Sequence, residues 1–138
     1  MSEQYEAKAG EGVLAVAGSL TLTAGGGVLQ LYGGTREHVG SVTVSAPRPS
    51  LTGGGRTSVT SSVINLPSHK EELVGRPAAE KLAVELDMPI VCVAGIHVDG
   101  ATAEELHTLA KNAEDAVELL LDALAAAQLP ERNDHTFE

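Results

Sequence analysis

The sequence predicts an α+β domain in two layers, a mixed sheet of four to five strands packed against two main helices. Three observations carry this. Apolar and polar residues alternate with a period of two through the first half. One continuous apolar run, IVCVAGI at 90–96, lies in the second half, and two capping-box signatures bracket it, each followed by helical periodicity. The predicted sheet is an antiparallel N-terminal meander plus a buried central strand.

The meander begins with LTLT at 20–23, where apolar and hydroxyl residues alternate, and resumes with VLQLY at 28–32. Gly25, Gly26 and Gly27 between them supply a permissive turn, so the two segments read as a hairpin. VGSVTVSA at 39–46 alternates again, with Val42 and Val44 on one side and Ser41, Thr43 and Ser45 on the other. Three antiparallel strands with one wetted face follow. PRPSLTGGGR, Pro47 to Arg56, is a loop by its prolines and glycines, and SVTSSVINL after it is a short fourth strand.

Ser68 and Glu71 then form a capping box that opens a helix running to about Asp87. Pro77 predicts a kink or break near Gly75, with Ala79, Leu82, Ala83 and Leu86 turned inward beyond it. MPIVCVAGIHVDG is the central strand, and its continuity predicts burial on both faces. Thr102 and Glu105 make the second capping box. It opens a long helix whose inner face carries Leu106, Leu109, Ala110, Ala113, Val117, Leu120 and Leu124, and whose outer face carries Lys111, Glu114, Asp115, Glu118 and Asp122.

At 138 residues the chain suits one domain. We read residues 12–127 as that domain, 1–11 as a flexible N-terminus and 128–138 as a flexible tail. The N-terminus carries no apolar signal segment, no stretch is long and apolar enough for a membrane span, and the single cysteine, Cys92, excludes an internal disulfide. A cytoplasmic setting is expected, with no membrane partner. The net charge is −10 and disfavours nucleic acid. In residues 1–68 the charges cancel, so all of the excess lies from His69 onward. Between Arg36 and Lys70 the only acid is Glu37, against Arg36, Arg48, Arg56 and Lys70. A locally cationic segment on an acidic protein suits a small anionic ligand.

Two constellations bear on such a ligand. RTSVTSSVINLPSHK, Arg56 to Lys70, combines hydroxyls, a capped helix start and a cation, the ingredients of an anion site. Thr57, Ser58, Thr60, Ser61 and Ser62 equally suit a polar strand face. His97 and Asp99, two apart at a strand end, suit a metal site or a general base held by a carboxylate, and equally a tight turn in which Asp99 bonds the imidazole. Neither GGGR nor GGT fits a phosphate-loop or dinucleotide fingerprint, and Cys92 reads as core.

The blocks HVG at 38–40, APRPSL at 46–51, TSSVxN at 60–65, HK at 69–70 and GIHVD at 95–99 together resemble the LpdD-like family, small proteins that accompany UbiD-type hydroxyarylic acid decarboxylases. The resemblance covers about Gly33 to Leu124. It implies a binding protein or chaperone for prenylated flavin mononucleotide (or FMN) rather than an enzyme, with the catalytic subunit of a UbiD-type decarboxylase as partner. Carried over by matching position, the candidate ligand contacts are Arg48, Ser50, Thr60, Ser61, Ser62, Asn65, His69, Lys70, His97 and Asp99. Ser61, Ser62 and Lys70 would hold the phosphate; His69, His97 and Asp99 would reach the flavin edge or a divalent metal ion. Two helices leave much of so apolar a sheet uncovered, so a homodimer is also expected. The competing readings are a small metal-dependent enzyme acting on a phosphate-bearing substrate and a ligand-free assembly subunit of a decarboxylase.

Overall fold

The structure, a computed structural model, describes residues 2–66 and 72–136, with side chains through residue 127 except that of Glu72. Strands β1 (Glu3–Ala9), β2 (Val16–Thr23), β3 (Gly26–Gly34), β4 (Ser41–Pro49), β5 (Thr57–Asn65) and β6 (Ile90–His97) form one sheet in the order β1-β2-β3-β6-β4-β5. Helices α1 (Glu72–Leu86) and α2 (Ala103–Thr136) pack on one face of it. The class is α+β with a mixed sheet and two helices, as expected, but the sheet has six strands rather than four to five.

The additional strand is β1. Its sequence, EQYEAKA, is polar enough to suggest a flexible N-terminus, yet it pairs antiparallel with β2 along its whole length. Tyr5, Ala7 and Ala9 face the helices while Gln4, Glu6 and Lys8 face outward, which is the alternation an edge strand needs. The β2–β3 hairpin closes as predicted, with Thr23 opposite Gly26 and Leu20 opposite Leu29.

The meander is a different matter. β4 does not pair with β3, because β6 lies between them, parallel to β3 and antiparallel to β4. β6 is therefore central in position. Its burial is one-sided: Ile90, Cys92 and Ala94 are buried beneath the helices, whereas Val91 and Val93 on the other face are only half-buried. The two-sided burial expected from its apolar run is thus met by the chain on one face alone.

The facing of β4 also reverses the expectation. Ser41, Thr43 and Ser45 are fully buried under α1, and Val42 and Val44 lie on the open face, Val44 at 43% exposure. The cause is how closely α1 approaches the sheet. A methyl group added at Gly75 would stand 3.1 Å from Ala94 Cβ and 3.6 Å from Cys92 Sγ and Ser41 Oγ. Only small side chains fit in that gap, so serine, alanine and cysteine occupy it and the valines turn away.

Helix α1 is continuous through Pro77. The proline removes one backbone bond near the helix start, to the carbonyl of Leu73, a residue 72% exposed, so no break is required. Ala79, Leu82 and Ala83 are buried as predicted. The first capping box, Ser68 and Glu71, lies outside the described residues. The second is formed in both directions: Thr102 N–H donates to Glu105 Oε1 at 2.9 Å and Glu105 N–H to Thr102 Oγ1 at 3.1 Å. Along α2, Leu109, Ala113, Ala116, Val117, Leu120 and Leu124 are buried, but Leu106 and Ala110 are exposed, Ala110 on the groove between α2 and α1. The helical backbone runs on to Thr136, through the segment whose composition predicts a flexible tail. No helix is long and apolar enough to cross a membrane among the described residues.

Candidate functional site

Inserting β6 between β3 and β4 has a geometric consequence. β3 and β6 end at the same end of the sheet, where β4 begins, so residues 35–40 must cross the end of β6. Thr35 N–H donates to the His97 carbonyl at 2.8 Å, Gly40 N–H to the Ala94 carbonyl at 2.9 Å, and Leu66 N–H to the Gly40 carbonyl at 2.9 Å. Gly34 and Gly95 make the crossing possible. A methyl at Gly95 would overlap the His38 carbonyl oxygen, and one at Gly34 the His97 carbonyl oxygen. The blocks HVG and GIHVD, far apart along the sequence, are thus the two sides of one backbone crossing.

The crossing sets His38 beside His97, their rings edge to face with centroids 6.1 Å apart. His97 Nε2 meets Asp99 Oδ1 at 2.6 Å, and the carboxylate is 92% exposed. This contact serves both readings of the pair. The carboxylate fixes the imidazole's tautomer, and the same contact closes the turn into α2. Tyr32, opposite Gly95 in the β3–β6 register, projects from the open face at this corner.

Asn65, at the end of β5, is opposite Ser41 and so belongs to the same end of the sheet. His69 and Lys70 lie outside the described residues. Their flanks do not: Leu66 bonds to the crossing loop, and Gly75, in the first turn of α1, sits over Ser41 and Ala94. Both sides of that segment are at the His97 end.

Arg48 and Ser50 are at the opposite end. Arg48 is seven positions along β4 from Ser41, roughly 23 Å at ~3.3 Å per residue. Its Nε donates to Thr60 Oγ1 at 2.9 Å, and Ser50 Oγ pairs with Thr52 Oγ1 at 2.9 Å. With Arg56, Thr57 and Asp87 they line a hollow of about 430 Å³ at the β4–β5 tip. Gly53, Gly54 and Gly55 turn that tip with φ of +83°, +84° and +69°, which side-chain-bearing residues rarely adopt.

Thr60, Ser61 and Ser62 lie between the two ends and split across the sheet by the period of two. Thr60 and Ser62 face the open side, while Ser61 faces α1. There Ser61 Oγ donates to Glu80 Oε2 at 2.6 Å and accepts from Ser45 Oγ at 2.7 Å, and Arg76 Nε donates to the same carboxylate oxygen at 3.2 Å. A single phosphate could not meet Ser61 and Ser62 from one side. His97, Asp99 and Asn65 therefore share one end of the sheet, His97 in the open-face register with Val91 and Val93 and Asn65 in the helix-side register with Ser41, while Arg48 and Ser50 lie at the other end. Sequence reasoning gives His38 no role beyond membership of the HVG block and Tyr32 none beyond the strand VLQLY; the HVG block is the signal that points to the first.

No group of three His, Cys, Asp or Glu placed to hold a metal occurs among the described residues. Cys92 is fully buried, and desolvation pushes its thiol up to about 12, so it is an inert core group at neutral pH.

The fold is similar to that in the crystal structure of a novel chaperone complex for yeast 20S proteasome assembly. The TM-score is 0.54 at 13% identity, over 91% of this chain and 96% of that one. No curated protein matches the chain in sequence. A family model for the prenylated flavin chaperone LpdD-like domain matches residues 10–125, which takes in every strand from β2 to β6, α1 and most of α2. The chain belongs to the LpdD-like family of prenylated flavin chaperone domains.

Proposed function

We propose that this chain binds prenylated flavin mononucleotide at the His97 end of its sheet and hands it to a UbiD-type decarboxylase during that enzyme's maturation. The observation that carries the reading is the contact of His97 with Asp99 and His38 at the sheet end where Asn65 and both flanks of the His69–Lys70 segment also lie. The donor set suits the cargo. Imidazole and amide groups can bond the polar edge of a flavin, Lys70 carries the charge a phosphate requires, and the Tyr32 ring offers a flat surface. Arg48 and Ser50, a strand's length away, stand outside this site in the same chain. So does Ser61, committed to Glu80.

A chaperone must release what it binds. An exposed corner built on the ends of strands suits release better than an enclosed cavity, because few groups must be resolvated when the ligand leaves. Nothing in the reading requires bond chemistry by the chain itself.

The test is anaerobic co-expression with a flavin prenyltransferase, followed by the absorbance spectrum of the purified protein and its transfer to apo-decarboxylase. A bound chromophore and restored decarboxylation are expected. Removing one hydrogen-bond partner of the ligand should weaken binding about tenfold or more in His97→Ala and Lys70→Ala and leave it near wild type in Arg48→Ala. Colourless wild-type protein would overturn the reading, and equal losses in all three variants would overturn the placement.

A further inference from the structure

The face of the sheet opposite the helices is uncovered by any described element except the crossing loop at one end. Across its middle run two rows of apolar side chains set by the register. Val28, Val91 and Val44 form one, and Val93, Val42 and Ile64 form most of the other, with Gln30 completing it. Val28 and Val44 are each 43% exposed and Ile64 67%. Contiguous valines at the centre of a sheet, aligned strand to strand, differ from apolar residues scattered singly over a surface.

We infer that this face is covered by a second copy of the same chain, packed sheet against sheet. Three features select that occupant. The first is charge: the entire excess of −10 lies from His69 onward, and both helices belong to that stretch. On the open face of β3, β6, β4 and β5 the only side chain that carries a full charge irrespective of pH is Arg48, and on the edge strand β1 Glu6 and Lys8 are of opposite sign and cancel. Two acidic molecules meeting through this face keep their acidic layers as far apart as the fold allows.

The second feature is self-complementarity. The polar residues around the valines are Gln30, Ser19, Thr21, Thr60 and Ser62, each both donor and acceptor, so a two-fold contact leaves none of them facing a group of the wrong kind. A partner recognised through charge would need charges here. The third is size. Six strands at ~4.8 Å spacing and about eight residues at ~3.3 Å give a face on the order of 750 Å², close to the ~800 Å² per partner of a standard interface. Such a contact would be a β-sandwich core with the helices outside, and it would place the Tyr32 and His97 corner at its rim.

The experiment is sedimentation velocity on the full chain. The expected mass is twice the 14.2 kDa of one chain. Val44→Arg and Ile64→Arg should weaken association roughly 100-fold while far-UV circular dichroism and the thermal transition show a folded chain. Leu73→Arg, on the helix layer at 72% exposure, should leave the dimer intact. If Val44→Arg fails to fold, Ile64→Arg at the edge strand still decides. A wild-type mass of one chain overturns the inference. So does a dimer that survives Ile64→Arg, or a monomer whose open face is instead required to bind a decarboxylase.

Discussion

Helices α1 and α2 rest on the same face of the same sheet but on chemically different halves of it. Under α2 lie β1 and β2, with Val16, Leu20 and Leu22 facing up into Leu109, Val117, Leu120 and Leu124. Under α1 lie β4, β5 and β6, and the upward residues there include Ser41, Thr43, Ser45 and Ser61. One half is hydrocarbon, the other is lined with hydroxyls. In the α1 half the Ser45, Ser61, Glu80 and Arg76 chain is hydrogen-bonded throughout, but Ser41 Oγ and Thr43 Oγ1 are buried with no partner among the described residues. A buried hydroxyl without a partner costs ~1–3 kcal/mol, so the α1 half is the weaker of the two. The difference teaches how stability is divided relative to the proposed site. The α2 half carries the hydrocarbon core, and the half that ends at the His97 corner, where the binding site is proposed, is the one held less tightly.

The sharpest way to break this comparison is to open a cavity in the strong half. Leu120 is fully buried, and a methyl added at Gly18 would lie only 3.2 Å from Leu120 Cδ1, so the leucine is enclosed by close neighbours. Leu120→Ala should cost about 2–5 kcal/mol, measured as a fall in urea midpoint at constant slope. A loss below about 1 kcal/mol would mean that the α2 half repacks freely and is not the stable one.

A smaller effect tests the α1 half through pH. Burial alone pushes the Cys92 thiol up to about 12, against an ordinary value of 9.0. In the unfolded chain the thiol ionises from about pH 9, whereas the folded chain still holds its proton, so rising pH favours unfolding across the window from 9 to 12. The stability contribution is fully present below pH 9 and falls by roughly 1.4 kcal/mol per pH unit above it. Near pH 10.5 that is about 2 kcal/mol, to be read as the difference between wild type and Cys92→Ala in the slope of stability against pH. Equal slopes would show that water reaches Cys92 beneath α1. The half would then be looser than its burial implies.

The asymmetry between halves also explains what is legible in the sequence. The α2 half reads well because its signals are redundant: Leu20 and Leu22 alternate, the helix repeats at 3.6, and Thr102 with Glu105 marks its start. The α1 half misleads. Ser41, Thr43 and Ser45 look like a wetted face because hydroxyls usually face water, and only the close approach of Gly75 to Ala94, a contact across the fold, shows why they do not. The same holds for the strand order. Nothing local in β4 says that a strand some fifty residues later will separate it from β3. β1 is hidden for a third reason, since an edge strand with one half-covered face carries too weak an alternation to read. As for the site, His97 and Asp99 stand out by their spacing, whereas His38 is placed only by the crossing that brings it to Gly95.

The smallest expected effect isolates the cause of the weakness. Thr43→Val keeps the shape of a fully buried side chain and removes a hydroxyl that has no partner among the described residues, so the desolvation cost disappears and nothing is lost in return. The variant should be more stable by about 1 kcal/mol, a rise of roughly 3–4 °C in Tm for a domain of this size. Ser45→Ala is the counterpart. Ser45 is equally buried, but its hydroxyl donates to Ser61 at 2.7 Å, and deleting it strips a partner from the chain that ends on Glu80. That variant should lose about 1 kcal/mol. Opposite signs at two positions on one strand, both beneath α1, would assign the weakness to unpaired hydroxyls. If both variants instead gained stability, hydroxyls as such would be at fault, and the Ser45–Ser61–Glu80 chain would contribute nothing to holding α1 on the sheet.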